Sequence, residues 1–255
     1  MKLLAFEASA NTVSIAVENA GKRFTSEMPA SSKTSAWVIP SLLKLLENAK
    51  TDLSSLDAIL FGQGPGAFTG LRTVCSVVQG LSLGLNKALP IYGVDTLQQL
   101  AQAVLNVEGP SVINQTTDLV PPVVRVLSIL DARMDEWYVA SYEYFRNDWS
   151  VKQSPFICHP SKLVLPLEWQ GQSFTVSSNL GSSIIKDSAP SALQNQLCSF
   201  IFDSPHATLC LDLATWLVSQ PSSGLSRFDP LGVTPIYIRD RVALTTRERE
   251  DAKLI

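Results

Sequence analysis

Only two histidines, His159 and His206, occur in the 255 residues, and they stand far apart. Two imidazoles four positions apart on a helix would share one face and hold a metal ion, and this chain has no such pair. Cysteine is as sparse. Cys75, Cys158, Cys198 and Cys210 form no C-x-x-C pair, which excludes the usual zinc and redox motifs. Cys75 falls inside a helical pattern and reads as a small core residue. Neither a Ser-His-Asp order nor a Cys-His pair is legible, so no nucleophile has a visible base.

Charge is thin as well, at 17% of residues with a formal net charge of −3. A chain that holds nucleic acid unaided needs a basic face, and this one has none. A subunit whose partner supplies that face stays open. Long apolar runs are missing too. The amino end, Met1 to Phe6, is cut short by Glu7, and no later run is long enough to span a bilayer. The expectation is a cytoplasmic protein with reduced thiols.

What is present is 45% apolar residues, enough for one large or two small cores. The chain is organised around Gly62 to Arg72, the stretch Gly-Gln-Gly-Pro-Gly-Ala-Phe-Thr-Gly-Leu-Arg. A short apolar run, Asp57 to Phe61, precedes it and reads as a buried strand. A helical pattern, Phe68 to Leu85, follows. The glycines therefore sit at a strand-to-helix turn. Such a turn aims backbone N–H groups along a helix axis, where an anion is favoured. The rival reading is a tight turn that folds the helix back onto its sheet, and glycines alone favour that rival.

Before the turn, Lys2–Phe6, Thr12–Glu18 and Arg23–Met28 read as a three-stranded meander. A helix then runs from about Ser35 to Ala49. Val38, Ile39, Leu42, Leu43, Leu45, Leu46 and Ala49 fill its apolar arc, Pro40 lies in its first turns, and Trp37 falls outside beside Ser41 and Lys44. The second helix sets Leu71, Val74, Val77, Val78, Leu81 and Leu85 toward the sheet. Arg72, Ser76, Gln79, Gly80, Leu83 and Gly84 lie opposite. Mid-helix glycines cost about 1 kcal/mol each, which implies close approach by another backbone, either within the chain or from a partner.

Leu89–Val94 is a further strand, and Asp95 or Thr96 caps a third helix through Val104. The aperiodic Asn106–Pro122 is the best linker. After it, Val123–Leu130, a turn at Asp131–Glu136, and strands at Trp137–Phe145 and Val151–Cys158 are expected. Short strands at Phe174–Ser177 and Phe200–Phe202 follow. Ser204-Pro205 reads as the start of a helix through Val218. The tail Arg239–Ile255 shows no apolar stripe and reads as loose. The expected division is residues 1–105, 106–225 and a C-terminal segment 226–255.

Gly62 to Arg72 with Gln79-Gly80-Leu81 closely resembles a signature of the TsaB family, also called YeaZ. Tyr92 to Leu97, Asp131 to Tyr138 and Pro235 to Arg239 resemble three more of its motifs, in order and spacing across nearly the whole chain. Glu7, Gln63, the triplet Thr34-Ser35-Ala36, Val74 and Ser76 depart from the family pattern. The resemblance implies an α/β, two-domain actin/Hsp70/sugar-kinase-like (ASKHA) fold. It also implies a non-catalytic partner in threonylcarbamoyl modification of the adenosine beside the tRNA anticodon. That partner works with the catalytic subunit TsaD and the ATPase TsaE. It implies no metal and no cofactor of the chain's own, and leaves open ATP or ADP at a subunit interface and a homodimer.

On that reading Trp37, Ser41, Lys44, Arg72, Ser76, Gln79, Gly80, Leu83 and Gly84 form the partner face. In this fold class phosphates lie between the domains, against the first hairpin turn. Ser9, Thr12, Gly64, Gly66 and Arg133 are then candidate anion or nucleotide contacts. Glu7 would repel phosphate, and its simpler reading is a solvated acid. The rival function is an enzyme of the same fold, a peptidase or a nucleotide-dependent phosphotransferase.

Overall fold

A computed structural model describes residues 1–85, 88–114, 122–190, 197–219 and 227–239. Two mixed sheets carry the fold. The first contains β1 (Lys2–Glu7), β2 (Thr12–Asn19), β3 (Lys22–Pro29), β4 (Ala58–Gly64), β5 (Ile91–Asp95) and β11 (Arg227–Phe228). Its order is β11-β5-β4-β1-β2-β3. The second contains β6 (Val124–Arg133), β7 (Glu136–Phe145), β8 (Asp148–Cys158), β9 (Phe174–Ser178) and β10 (Leu197–Phe202), in the order β10-β9-β6-β7-β8. Each sheet is an antiparallel meander whose first strand pairs in parallel with a fourth, and that with a fifth. The two halves thus repeat one topology, a repeat that the residues themselves show only as similar openings.

The pleat sorts the core. Along β1, Leu4 and Phe6 point to one face, Leu3 and Ala5 to the other. The first pair meets α1 (Thr34–Asn48) and α2 (Phe68–Gly84), through Val38, Leu42, Val74 and Val78. The second pair meets α3 (Thr96–Asn114) and α5 (Ala207–Ser219), through Leu97, Ala101, Leu213 and Ala214. The same cluster takes in Val126, Leu130, Ala140 and Tyr142 of the second sheet, so α3 and α5 lie between the sheets. On the far side of the second sheet, Ile129, Val139, Trp169, Phe174 and Ile185 close a third cluster with α4 (Ser182–Ser188).

Three hairpins close through pairs of residues at positive φ: Ala20-Gly21, Met134-Asp135 and Arg146-Asn147. Two-residue loops of this kind match the right-handed twist of their strands.

Several expectations change. The linker expected from Asn106 is helical as far as Asn114, so α3 also crosses the division placed at 105/106. Residues 115–121 lie outside the described set, as does the tail 240–255. β6 runs on to Arg133, which leaves only Met134 and Asp135 as its loop. The last helix begins at Ala207, beyond Ser204-Pro205. His206 precedes it as a cap: its Nδ1 accepts from the Thr208 amide at 3.2 Å and its carbonyl from Leu209 at 2.9 Å. Trp37, set outside the apolar arc by the helical pattern, is half-buried against the first core. Among the described residues, no helix is long and apolar enough to cross a membrane.

Candidate functional site

The glycine turn is held against the first hairpin. Ala67 N–H donates to the Ser9 carbonyl at 2.6 Å. A Cβ on Gly66 would overlap Ser9, and one on Gly70 would overlap the Ala8 carbonyl oxygen. On β4, a Cβ on Gly62 would overlap the Glu7 carboxylate. Gly66 and Gly70 therefore admit the backbone of the first hairpin turn and Gly62 the Glu7 side chain, and the tight-turn reading accounts for them. Gly64, at φ 105, is buried next to the Ile236 carbonyl and is not available to an anion.

Glu7 corrects the solvated-acid reading, because it is fully buried. Its carboxylate accepts from Ser9 N–H at 2.6 Å and from the Gln99 side chain. Burial pushes its pKa up, and the hydrogen bonds only partly oppose that. The Ser9 amide, which a phosphate against this hairpin turn would need, is already used.

Gln63 anchors the C-terminal segment. Its side chain donates to the Thr234 carbonyl at 3.1 Å and its own carbonyl accepts from Ile236 N–H at 2.8 Å. Gln79 donates to the Val233 carbonyl at 3.0 Å. Further along, Arg239 donates to the Ala132 carbonyl at 2.9 Å and pairs with Glu136 at 2.8 Å. Residues 233–239 therefore tie the glycine turn to the β6–β7 hairpin.

A cleft of about 590 Å³ opens between these parts. Ser9 and Asn11 of the first hairpin turn border it, with Phe68 and Arg72 of α2, Asp131 and Arg133 of the second hairpin, and Tyr237. Arg133 donates to Asn11 Oδ1 at 2.9 Å and pairs with Asp131 at 3.1 Å, linking the two hairpins across the cleft. Ser9, Gly66 and Arg133 all border this cleft. Thr12 lies elsewhere, on a separate hollow with Glu27 and His206. Sequence reasoning missed Asn11, Phe68 and Asn179 on the cleft wall. It noted Tyr237 and Arg239 only through their motif.

The outer face of α1 and α2 is different in kind. Ser76, Gly80 and Gly84 are exposed, and a Cβ on Gly80 or Gly84 would meet nothing within 4 Å. Leu83 is 63% exposed, Leu43 56% and Ile39 39%, with Lys44 exposed and Ser41 half-buried among them. Of the nine residues assigned to this face, Arg72 and Gln79 reach instead toward Tyr237 and Val233.

Among the described residues, no three of His, Cys, Asp and Glu gather as a metal site. Burial pushes the Cys75 thiol up to about 11 and raises Cys158 and Cys210, so none is an activated thiolate. His159 serves a local turn, accepting from Ser161 N–H at 3.3 Å.

Residues 28–215 match the family model described as TsaD: tRNA N6-adenosine threonylcarbamoyltransferase. The tRNA threonylcarbamoyladenosine biosynthesis protein TsaB of Escherichia coli is 30% identical over 175 residues, covering 66% of this chain and 69% of that protein. The TsaB of Haemophilus influenzae is 26% identical over 260 residues, 95% of each chain. The solved YeaZ of Pseudomonas aeruginosa superimposes with a TM-score of 0.74 at 26% identity, over 92% of this chain and 99% of that one. The motifs around Gly62, Tyr92, Asp131 and Pro235 are the same ones that build the turn, the hairpin and the C-terminal tie, and the chain belongs to the TsaB (YeaZ) family.

Proposed function

We propose that this chain is the non-catalytic partner subunit in making threonylcarbamoyladenosine in tRNA, and that it supports a TsaD-like catalytic chain. The observation that carries the reading is the open face of α1 and α2. Gly80 costs the helix interior about 1 kcal/mol, and a Cβ on Gly80 or Gly84 would meet nothing within 4 Å among the described residues. Small residues flanked by Leu43 and Leu83 fit close packing against helices of a second, related chain. That the TsaD family model matches this chain supports a partner of like architecture. The TsaE-like ATPase, contact with tRNA through the complex alone, a homodimer of the free chain, ATP or ADP at an interface, and a cytoplasmic location belong to the same proposal.

The test is Gly80→Leu, with affinity for the TsaD-like chain measured by calorimetry and stability by thermal melting. Overpacking at a contact costs about 1–3 kcal/mol, so binding should weaken at least several-fold with the melting temperature kept or raised. Thr215→Leu, at an exposed position of α5, is the control. Gln99 would be a poor one, since it is buried and bonded to Glu7. Unchanged affinity would place the interface elsewhere. Modification of tRNA by the chain alone would restore the enzyme reading.

A further inference from the structure

The loop between β6 and β7 borders two hollows. One is the cleft. The other, of about 540 Å³, lies against the start of α4 and the residues that follow β8. None of the residues assigned to the partner face borders it. Its wall is apolar and open to water: Met134 is 65% exposed and Ile184 49%, with Leu180 and Pro160 beside them. Apolar side chains left open inside a polar rim mark a binding surface, and a methionine thioether adapts to varied partners.

Trp137 carries a second observation. It is 4% exposed, yet its indole N–H has no acceptor among the described residues and is not sealed from solvent. The other tryptophans of this sheet and its outer cluster differ, since Trp149 donates to Gln102 at 3.3 Å and Trp169 to Glu143 at 2.9 Å. The Trp137 N–H therefore opens on the hollow that the residue borders. A nearly buried donor left without an acceptor calls for one from a ligand. His159 borders the same hollow. Its Nδ1 accepts from Ser161 N–H at 3.3 Å, which leaves the proton of the neutral ring on Nε2 as a further free donor.

Charge at the rim completes the site. Asp131 pairs with Arg133 at 3.1 Å and Glu136 with Arg239 at 2.8 Å. Asp135 is exposed and pairs with nothing among the described residues, so the rim holds one uncompensated carboxylate.

We propose that this hollow docks a short extended peptide segment of another protein. An apolar side chain lies on Met134 and Ile184, a backbone carbonyl accepts from Trp137, and a neighbouring lysine or arginine meets Asp135. The proposal is independent of the partner role of α1 and α2, which take no part in it.

The test follows the indole N–H resonance of Trp137, identified by its loss in Trp137→Phe, while the intact chain is titrated with blocked dipeptides. Acetyl-Leu-Arg-amide and acetyl-Arg-Leu-amide carry both features, in either order. Acetyl-Gly-Arg-amide lacks the apolar side chain, and acetyl-Leu-Glu-amide reverses the charge. At least one of the first two should shift that resonance saturably and bind several-fold more tightly than either control. Ile184→Ser should weaken it by about fivefold or more, the scale of one lost apolar contact. Asp135→Asn should erase the preference for arginine over glutamate. Should Ile184→Ser unfold, Met134→Ser removes the other exposed wall residue, and the same loss is expected. The proposal is overturned if neither peptide moves the resonance at several millimolar, if a control binds as tightly, or if the folded variant binds like the original chain. A dimer that Ile184→Ser disperses would also overturn it, by giving the hollow to a second copy of this chain.

Discussion

The Tyr142 hydroxyl donates to the Asp95 carboxylate at 3.0 Å, and this bond joins the second sheet to the last residue of β5. Asp95 also accepts from the Leu97 amide at 2.8 Å, at the start of α3. Burial is the largest influence on the carboxyl and pushes its pKa from 3.8 up to about 6, against these hydrogen bonds. Between about pH 4 and pH 6 the folded chain therefore keeps a proton on Asp95 that the unfolded chain has lost. Its contribution to stability falls as pH rises through that window and is level above it. Asp95→Asn cannot ionise and should lose this slope, gaining on the original chain from pH 4 to pH 6. Urea midpoints at pH 4, 5, 6 and 7 read the difference, and parallel curves for the two chains would refute it.

The glycines divide into two kinds, and alanine should separate them. Gly80→Ala meets open space in a helix interior and should stabilise the chain by about 1 kcal/mol. Gly70→Ala is also helical, but its methyl would overlap the Ala8 carbonyl. It should destabilise by about 1–3 kcal/mol through displacement of the first hairpin turn. Thermal melting of both variants decides the matter, and equal effects would mean that the turn is not packed as described.

Asp135 occupies a left-handed position, φ 57, in the loop between β6 and β7. A side chain there is disfavoured, and this one is exposed. Asp135→Gly should stabilise by about 0.5–1 kcal/mol and leave the Arg133–Asn11 contact intact. A fall in melting temperature would show that the aspartate makes a contact worth more than its strain.

Much of the fold is legible because its signals are local. The alternation in β2 and β7, the 3.6-residue pattern of α1 and α2, and the paired turn residues at 20–21 each act within a few positions. The boundaries that fail are those where tertiary packing outweighs such signals. α3 runs past Val104, through a stretch whose Gly109 and Pro110 read as breakers, because α3 packs between two sheets. His206, and not Ser204, caps α5, since hydrogen bonding to Thr208 and Glu27 fixes the imidazole there.

By itself the sequence determined the strand and helix types, the family, and a glycine turn set between a buried strand and a helix. It placed Ser76, Gly80 and Gly84 on one helix face, because spacing alone fixes which residues share a face. Only the tertiary structure decided what each glycine touches, that Glu7 is buried, and that Arg72 turns to Tyr237. Those outcomes depend on residues far apart in the chain, 165 positions for Arg72 and Tyr237 and 92 for Glu7 and Gln99. No periodic signal spans such separations. Packing of α3 on the first sheet brings Gln99 to Glu7, and the C-terminal segment held along β4 brings Tyr237 to Arg72.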